Sequence, residues 1–178
     1  MRVITSFDEL EPVPWANGAG ETTELVSLTD SQTLTPSLRR WRLSIARLDR
    51  PAVFSPLPGL ARTFLPIGAE VALEIDGEVH PVTSAEPKTF RGEQTVSLVE
   101  LGAPCFALNL MVEDSNRMVE DSSGSESEQR ALEMSTRFAG SGQFAITLNA
   151  VPDRPRFQLL RLDDDDEFPY RFDAAILH

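Results

Sequence analysis

Cysteine, histidine and lysine are scarce in this sequence of 178 residues, and each shortage excludes a class of site or of protein. The single cysteine, Cys105, cannot form a disulfide within the chain, which is typical of proteins from a reducing compartment. The two histidines, His80 and His178, are too few for the usual imidazole sites of a mononuclear metal, so we expect no metal ion and no other cofactor. Lys88 is the only lysine, which leaves arginine to supply almost every positive charge.

Long apolar runs and an excess of positive charge are also missing. No uninterrupted apolar run is long enough to span a bilayer, and the start of the chain, MRVITSFDELEP, is too acidic for a secretory signal. The chain has 16 basic and 28 acidic residues, and its net charge of −12 repels phosphate backbones and anionic lipids. We therefore expect a cytoplasmic protein that binds neither nucleic acid nor membrane. A homodimer is expected on base rate alone, because closed two-fold dimers are the commonest small oligomers.

Short strands separated by prolines and glycines dominate what is present. In residues 41–46 the apolar side chains alternate with polar or small ones, which is typical of a half-buried strand. The dipeptide Asp76-Gly77 favours a type I′ turn and predicts a hairpin between the strands on either side of it. Further strands are predicted near residues 21–27, 63–66, 71–76, 79–82, 95–101, 105–111, 143–149, 157–161 and 174–177. With no long apolar stripe at helical spacing, this pattern predicts an all-β sandwich or barrel.

Residues 113–130 differ from the rest of the chain in composition. This segment, EDSNRMVEDSSGSESEQR, is polar and poor in β-branched residues, and its centre resembles a linker. We predict a mobile acidic loop there.

The most unusual stretch is PWANGAGETTE at residues 14–24. Its glycines allow backbone N–H groups to approach a ligand closely, although the lysine and the following helix of a P-loop are absent. Trp15 offers a flat apolar surface with one donor, and Asn17 offers an amide. These two residues either contribute to a ligand site or form a glycine-rich turn in which Trp15 fills an apolar gap, and the pattern favours neither.

Three further residues are candidates for ligand contacts. Arg62 follows the rigid corner FSPLPGLA and could hold a carboxylate by two hydrogen bonds, although an ion pair with one of the 28 acidic residues is its more frequent role. Asn109 is the polar exception on an apolar strand and must find hydrogen-bond partners in the core or in a cavity. Glu93, in the corner FRGE, either faces inward or ends a turn in solvent.

In this order, these segments resemble the HutD/Ves family of small bacterial cupin-like proteins. The matching motifs are PWANGAG at 14–20 with Thr22 and Glu24, WRLSIA at 41–46, FSPLPG at 54–59 with Arg62-Thr63, FRGE at 90–93 and NLM at 109–111. The resemblance implies one compact unit over residues 1–178, a bicupin with few short helices and two β-barrel-like halves at about 1–88 and 89–178. It also implies a link to histidine utilisation, whose output the protein would moderate by binding a small anionic metabolite such as N-formylglutamate, formate or urocanate.

The resemblance further indicates which residues would bind that metabolite. The pocket signature of the family falls on Trp15, Asn17, Arg62 and Asn109, with Ser44 and Glu93 as weaker candidates. Members usually carry a lysine, a glycine and an aspartate where this chain has Ala16, Ala19 and Ala107. The loss of one cation and one anion indicates either a lost internal ion pair or a changed ligand.

Two other functions stay open. One is a metal-independent cupin enzyme, a lyase, isomerase or hydrolase that acts on a small carboxylic acid, with Glu93 as its candidate base. The other is an interaction protein that docks a partner through residues 113–130. Turnover of a candidate acid would favour the first, and loss of function without loss of ligand binding on deleting the loop centre would favour the second.

Overall fold

Most of the chain forms short antiparallel strands, as the alternation of apolar and polar residues predicts. The computed structural model describes residues 1–114, 129–135, 143–163 and 174–178. Their strands are β1 Arg2–Ser6, β2 Val13–Pro14, β3 Gly20–Val26, β4 Trp41–Leu48, β5 Ala52–Val53, β6 Leu60–Ile67, β7 Val71–Ile75, β8 Glu78–Val82, β9 Lys88–Arg91, β10 Val96–Leu101, β11 Cys105–Glu113, β12 Met134–Ser135, β13 Phe144–Thr147, β14 Gln158–Arg161 and β15 Ala174–Leu177. A short helix, α1 Leu28–Leu34, and a 3₁₀ turn at Phe7–Glu9 complete the described elements. The predicted all-β fold is confirmed.

The described strands form three antiparallel sheets. The largest has the order β2-β3-β4-β11-β6-β9, with the long strand β11 between β4 and β6. The other two have the orders β5-β10-β7-β8 and β1-β14-β13-β15-β12. Because β1 pairs with β14, and because β10 and β11 pair with strands that precede residue 88, every sheet contains strands from both predicted halves.

The six-stranded sheet separates two hydrophobic cores. Successive side chains of a strand point to opposite faces of its sheet, so neighbouring residues of β11 belong to different cores. Leu110 packs in the core shared with the five-stranded sheet, which includes Leu159 of β14. Ala107 packs in the core shared with the four-stranded sheet, which includes Leu73 of β7. The largest sheet is therefore the middle layer of the molecule.

Helix α1 is positioned by its polar caps rather than by an apolar stripe, and periodicity did not predict it. The Ser27 hydroxyl accepts the Asp30 N–H at 3.1 Å, and the Asp30 carboxylate accepts from Ser27 in return, which closes a capping box. Ser31 and Thr35 accept hydrogen bonds from the backbone N–H and indole N–H of Trp41, at 3.0 and 2.8 Å. The helix thereby satisfies both donors of a fully buried tryptophan.

The hairpin predicted at Asp76-Gly77 is confirmed by the structure. Strands β7 and β8 pair across it, and the two turn residues have φ values of 51° and 86°, in the left-handed region that a type I′ turn requires. Within the predicted loop at 113–130, residues 115–128 lie outside the described residues. None of the helices in the described part of the chain has the length and apolar character needed to cross a membrane.

Candidate ligand pocket

A cavity of about 360 Å³ lies on the face of the six-stranded sheet that carries Ala46 and Phe64 into the second hydrophobic core. Strands β3, β4, β6 and β11 form its floor, and residues 15–17 and 53–57 contribute walls. Five of the six residues predicted to bind a ligand line this cavity, namely Trp15, Asn17, Ser44, Arg62 and Asn109. The fold therefore brings together side chains that are far apart in the sequence.

The register of the strands places the polar residues of the floor in two adjacent rows. The rows run Ser44–Asn109–Phe64 and Arg42–Met111–Arg62 across strands β4, β11 and β6. Residues two apart on a strand share a face, so both rows face the pocket. The intervening Leu110 faces the opposite core.

Arg62 lies at the centre of the site and is 8% exposed. Its Nη2 donates a hydrogen bond of 3.3 Å to Asn109 Oδ1, and its guanidinium carbon lies 5.2 Å from the ring centroids of both Phe54 and Phe90. Its buried Nε has no hydrogen-bond partner among the described residues. An ion pair with an acidic residue is the more frequent role of such an arginine. However, no described carboxylate forms an ion pair with Arg62. Arg62 is thus a buried cation surrounded by aromatic rings and one amide.

This environment disfavours the charged form of Arg62. Burial, together with the nearby Arg42 guanidinium, lowers the pKa of Arg62 from its usual range to about 10. The side chain therefore remains charged at neutral pH, although a buried charge without a counter-ion destabilises the folded state. The aromatic rings of Phe54 and Phe90 offset part of this cost through cation–π attraction. An anion placed against Nε would remove the rest.

Arg42 is the second arginine of the pocket, and unlike Arg62 it has a carboxylate partner. Its Nε donates to Glu24 Oε2, and its Nη1 lies 3.6 Å from the sulfur of Met111, a weak acceptor. The Arg42 and Glu24 side chains are 27% and 43% exposed, so the pair lies at the solvent edge of the pocket. Arg42 and Arg62 are the charged residues of the described lining, and Glu24 neutralises one of them.

Trp15 closes one wall of the pocket and is held there by specific contacts. Its indole N–H donates to Thr22 Oγ1 at 2.8 Å, and its ring meets the Phe54 ring edge-to-face at a centroid distance of 6.4 Å. A tryptophan whose donor is already satisfied within the protein presents mainly its apolar surface to a ligand.

Asn17 is part of the tight turn that carries Trp15 to the pocket. Its Oδ1 accepts the N–H of Ala19 at 2.9 Å, which leaves the amide N–H₂ group as its remaining donor. A Cβ on Gly20 would lie 2.1 Å from the carbonyl oxygen of Arg47, so only glycine allows the turn to pack this closely on β4. The turn, one of the two roles that the sequence left open, is present, and its residues also line the cavity.

Glu93 lies outside the described lining of the pocket. Its carboxylate accepts the N–H of Gly59 at 3.3 Å and lies 3.7 Å from Arg91, and hydrogen bonds from backbone N–H groups lower its pKa. A Cβ on the neighbouring Gly92 would lie 1.8 Å from the Leu57 carbonyl oxygen. The corner that holds Glu93 thus supports the segment that brings residues 53–57 to the pocket wall.

Arg42, Phe54, Phe64 and Met111 line the pocket but were not predicted as site residues. Period-two alternation could have identified two of them, because Arg42 precedes Ser44 by two residues and Met111 follows Asn109 by two. No such signal was available for the two phenylalanines, which look like ordinary core residues.

The metal that cupins usually hold does not fit this pocket. Its described lining supplies two guanidinium groups, amides and hydroxyls, and a positively charged donor set repels a metal cation. In the described ranges, no three His, Cys, Asp or Glu side chains lie close enough together to hold a metal ion.

The family model of HutD matches residues 8–174. The protein belongs to the HutD family. The predicted family is therefore confirmed. No significant match to a curated protein is found.

Solved structures show how far the HutD fold is shared. HutD from Pseudomonas fluorescens SBW25, determined in a formate condition, matches 97% of this chain and 94% of its own at 22% identity, with a TM-score of 0.65. A conserved protein of unknown function from Pseudomonas aeruginosa PAO1 matches 97% of this chain and 82% of its own at 18% identity, with a TM-score of 0.61. Ectoine synthase from P. lautus matches 62% of this chain and 78% of its own at 11% identity, with a TM-score of 0.50. At these identities the comparisons show an all-β, cupin-like fold.

Proposed function

We propose that this HutD protein binds a small carboxylic acid of histidine utilisation in the pocket around Arg62 and thereby moderates the output of the pathway. N-formylglutamate, formate and urocanate are the candidate acids. The observation that carries the proposal is the buried Arg62, whose Nε has no hydrogen-bond partner among the described residues. A ligand carboxylate would supply both the acceptor that Nε lacks and a counter-ion for the buried charge.

The geometry around Arg62 suits a carboxylate that binds in the plane of the guanidinium. Nη2 donates to Asn109, whereas Nε, which shares one edge of the guanidinium with Nη2, has no partner among the described residues. Arginine binds carboxylates by two parallel hydrogen bonds, and a bond to a charged group contributes about 1.5–3 kcal/mol. Burial strengthens this attraction because water competes for the carboxylate less effectively.

The remaining walls suit the rest of a small organic acid. Trp15, Phe54 and Phe64 provide apolar surface, while Ser44 and Asn17 provide polar groups at separate points. A volume of about 360 Å³ is at the lower end of the range for small-molecule pockets. The pocket therefore combines one anchoring charge with apolar walls, the usual composition of a metabolite site.

A binding protein is better supported than the alternative of an enzyme. The described lining supplies guanidinium, amide, hydroxyl and indole groups, which bind and orient an acid. Glu93, the candidate base, points its carboxylate to Gly59 and Arg91 in a corner outside the described lining. Recognition of the acid, in the cytoplasm and without chemical change, is what we propose.

Isothermal titration of the purified protein with the three acids tests the proposal. We expect at least one of them to bind. Arg62→Gln should lower the affinity for that acid at least about tenfold, because the charged hydrogen bonds are lost. Arg47→Gln is the matched control, because Arg47 lies on the same sheet but pairs with Asp49 in an exposed position.

Two results would contradict the proposal. One is equal affinity of the wild type and the Arg62→Gln variant for every acid that binds. The other is consumption of a bound acid by the purified protein, monitored by NMR of the mixture. That result would show that the protein is an enzyme instead.

A further inference from the structure

The two arginines of the pocket differ in how their charge is balanced. Arg62 has no carboxylate partner in the described part of the chain, whereas Arg42 Nε donates to Glu24. The described lining contains no acidic residue of its own. Counting these three charged groups, the pocket carries one uncompensated positive charge, and it is located on Arg62.

Glu24 is positioned to influence what binds beside Arg42. In the pairing of β3 with β4 it lies opposite Ser44, which in turn lies opposite Asn109, so all three occupy one row across the pocket face. The row that holds Arg42, Met111 and Arg62 is adjacent to it, and Met111 of β11 lies between the two arginines. With strands about 4.8 Å apart, their Cα atoms are roughly 10 Å apart, a distance that the two ends of a short dicarboxylic acid could bridge.

We infer that Glu24 sets the charge of the ligand. It restricts the pocket to acids with one carboxylate, because a second carboxylate at Arg42 would lie against the carboxylate of Glu24. This inference rests on the proposed function, since it presupposes that the first carboxylate binds at Arg62. Among the three candidate acids it favours formate and urocanate, which carry one carboxylate, over N-formylglutamate, which carries two.

Arg42 keeps a donor available on the pocket side. Within the described part of the chain its Nη1 donates to the thioether of Met111 at 3.6 Å, and sulfur is a poor acceptor. When the charge of Glu24 is removed, Arg42 becomes a second uncompensated cation with a donor directed at the cavity lining. The pocket then suits a dicarboxylate.

Matched acid and amide pairs test this inference. N-formylglutamate and N-formylglutamine share one skeleton, as do glutarate and glutaramate, and each pair differs by one carboxylate. Titration calorimetry should show the wild type preferring the singly charged member. Glu24→Gln should shift that preference about tenfold toward the dicarboxylate, because close like charges at a partly exposed site interact by an amount of that order.

Two further variants make the result specific. Glu21→Gln removes the same charge from β3, where Glu21 pairs with Arg47 at 3.8 Å, and should leave the preference unchanged. In Glu24→Gln combined with Arg42→Gln the gain for the dicarboxylate should disappear. The melting temperature of each variant without ligand verifies that it is folded.

The outcomes separate this inference from the proposed function. Failure of every acid, formate and urocanate included, to bind the wild type contradicts both. A second outcome is that acids with one carboxylate bind and that their binding depends on Arg62, but that Glu24→Gln neither changes the preference within the pairs nor gains binding of a dicarboxylate. That outcome overturns only the role of Glu24. The same holds if Glu21→Gln shifts the preference as much as Glu24→Gln.

Discussion

The two faces of the six-stranded sheet are built by the same strands and both pack a hydrophobic core, yet one of them also carries charged residues into a cavity. One face carries Leu43 and Leu110 into a core in which both are almost completely buried. The other face carries Arg42, Arg62 and Asn109 into a cavity, where one cation lacks a counter-ion among the described residues. Neighbouring residues of one strand thus have different roles, because one packs in the core and the next lines the cavity. The apolar face stabilises the fold, and the pocket face accepts a cost in stability that a ligand can relieve.

Truncation on the apolar face should have the largest effect on stability. Leu43→Ala removes a fully buried side chain of β4 and should lower the free energy of unfolding by about 2–5 kcal/mol, because it leaves a cavity between two sheets. Urea denaturation followed by circular dichroism measures this loss. Affinity for the acid, measured on protein that remains folded, should be close to that of the wild type. A loss of affinity as large as that of Arg62→Gln would show that the faces are not separate.

Asn109→Asp, on the pocket face, should stabilise the protein and weaken its binding of the acid. The new carboxylate would lie at the position of Asn109 Oδ1, which is 3.3 Å from Arg62 Nη2, and would supply the missing counter-ion. We expect the unliganded protein to gain about 1 kcal/mol of stability and the acid to bind at least about tenfold more weakly. Denaturation and calorimetry on the same preparation measure both. Unchanged affinity would mean that Arg62 is not the anchor.

The pH dependence of binding should follow the lowered pKa of Arg62. That pKa is about 10 in the folded protein, below that of an ordinary arginine, so above about pH 10 the unfolded chain binds more protons than the folded protein. The destabilisation by Arg62 is therefore present below about pH 10 and is relieved as the pH rises further. Affinity for the acid should be level from about pH 7 to 9 and should fall as the guanidinium loses its proton, by up to about tenfold per pH unit. A level profile through about pH 10.5 would contradict the assignment.

The smallest effect is expected from Arg47→Gln. Arg47 lies on β4 next to the pocket residue Ala46, but its side chain is 53% exposed and pairs with Asp49 and Glu21 at the surface. Exposed ion pairs contribute about 0–1 kcal/mol, so the melting temperature should shift by only a few degrees at most and binding should not change. A measurable loss of affinity would show that any arginine near the pocket influences the ligand through its charge alone.

Much of the fold could be predicted because strand alternation and turn chemistry are local signals. The strands at 41–46 and 105–111 and the hairpin at Asp76-Gly77 follow from such signals. Helix α1 does not, because seven residues with a single capping box leave too short a pattern for periodicity. The pairing of β1 with β14 could not be predicted either, since it joins the two ends of the chain and depends on long-range packing.

The candidate site was predicted residue by residue, but its arrangement was not. Trp15, Asn17, Ser44, Arg62 and Asn109 were selected from motifs, and all five line one cavity. Glu93 was selected in the same way and lies in a supporting corner. A motif identifies a residue type at a position in the chain, whereas only the pairing of strands decides which side chains share a face.

The sequence by itself determined the alternation that assigns Arg42 and Ser44 to one face of a strand and Leu43 to the other, because side chains along a strand have a period of two. Only the tertiary structure decided the state of Arg62. With 28 acidic residues in the chain, an ion pair was the expected outcome. Instead, β11 and β9 pair with opposite edges of β6 and place Asn109 and Phe90 beside this arginine, and Phe54 packs on it from the segment 53–57. A buried cation with apolar neighbours is a property of that packing, and the proposal of an acid site rests on it.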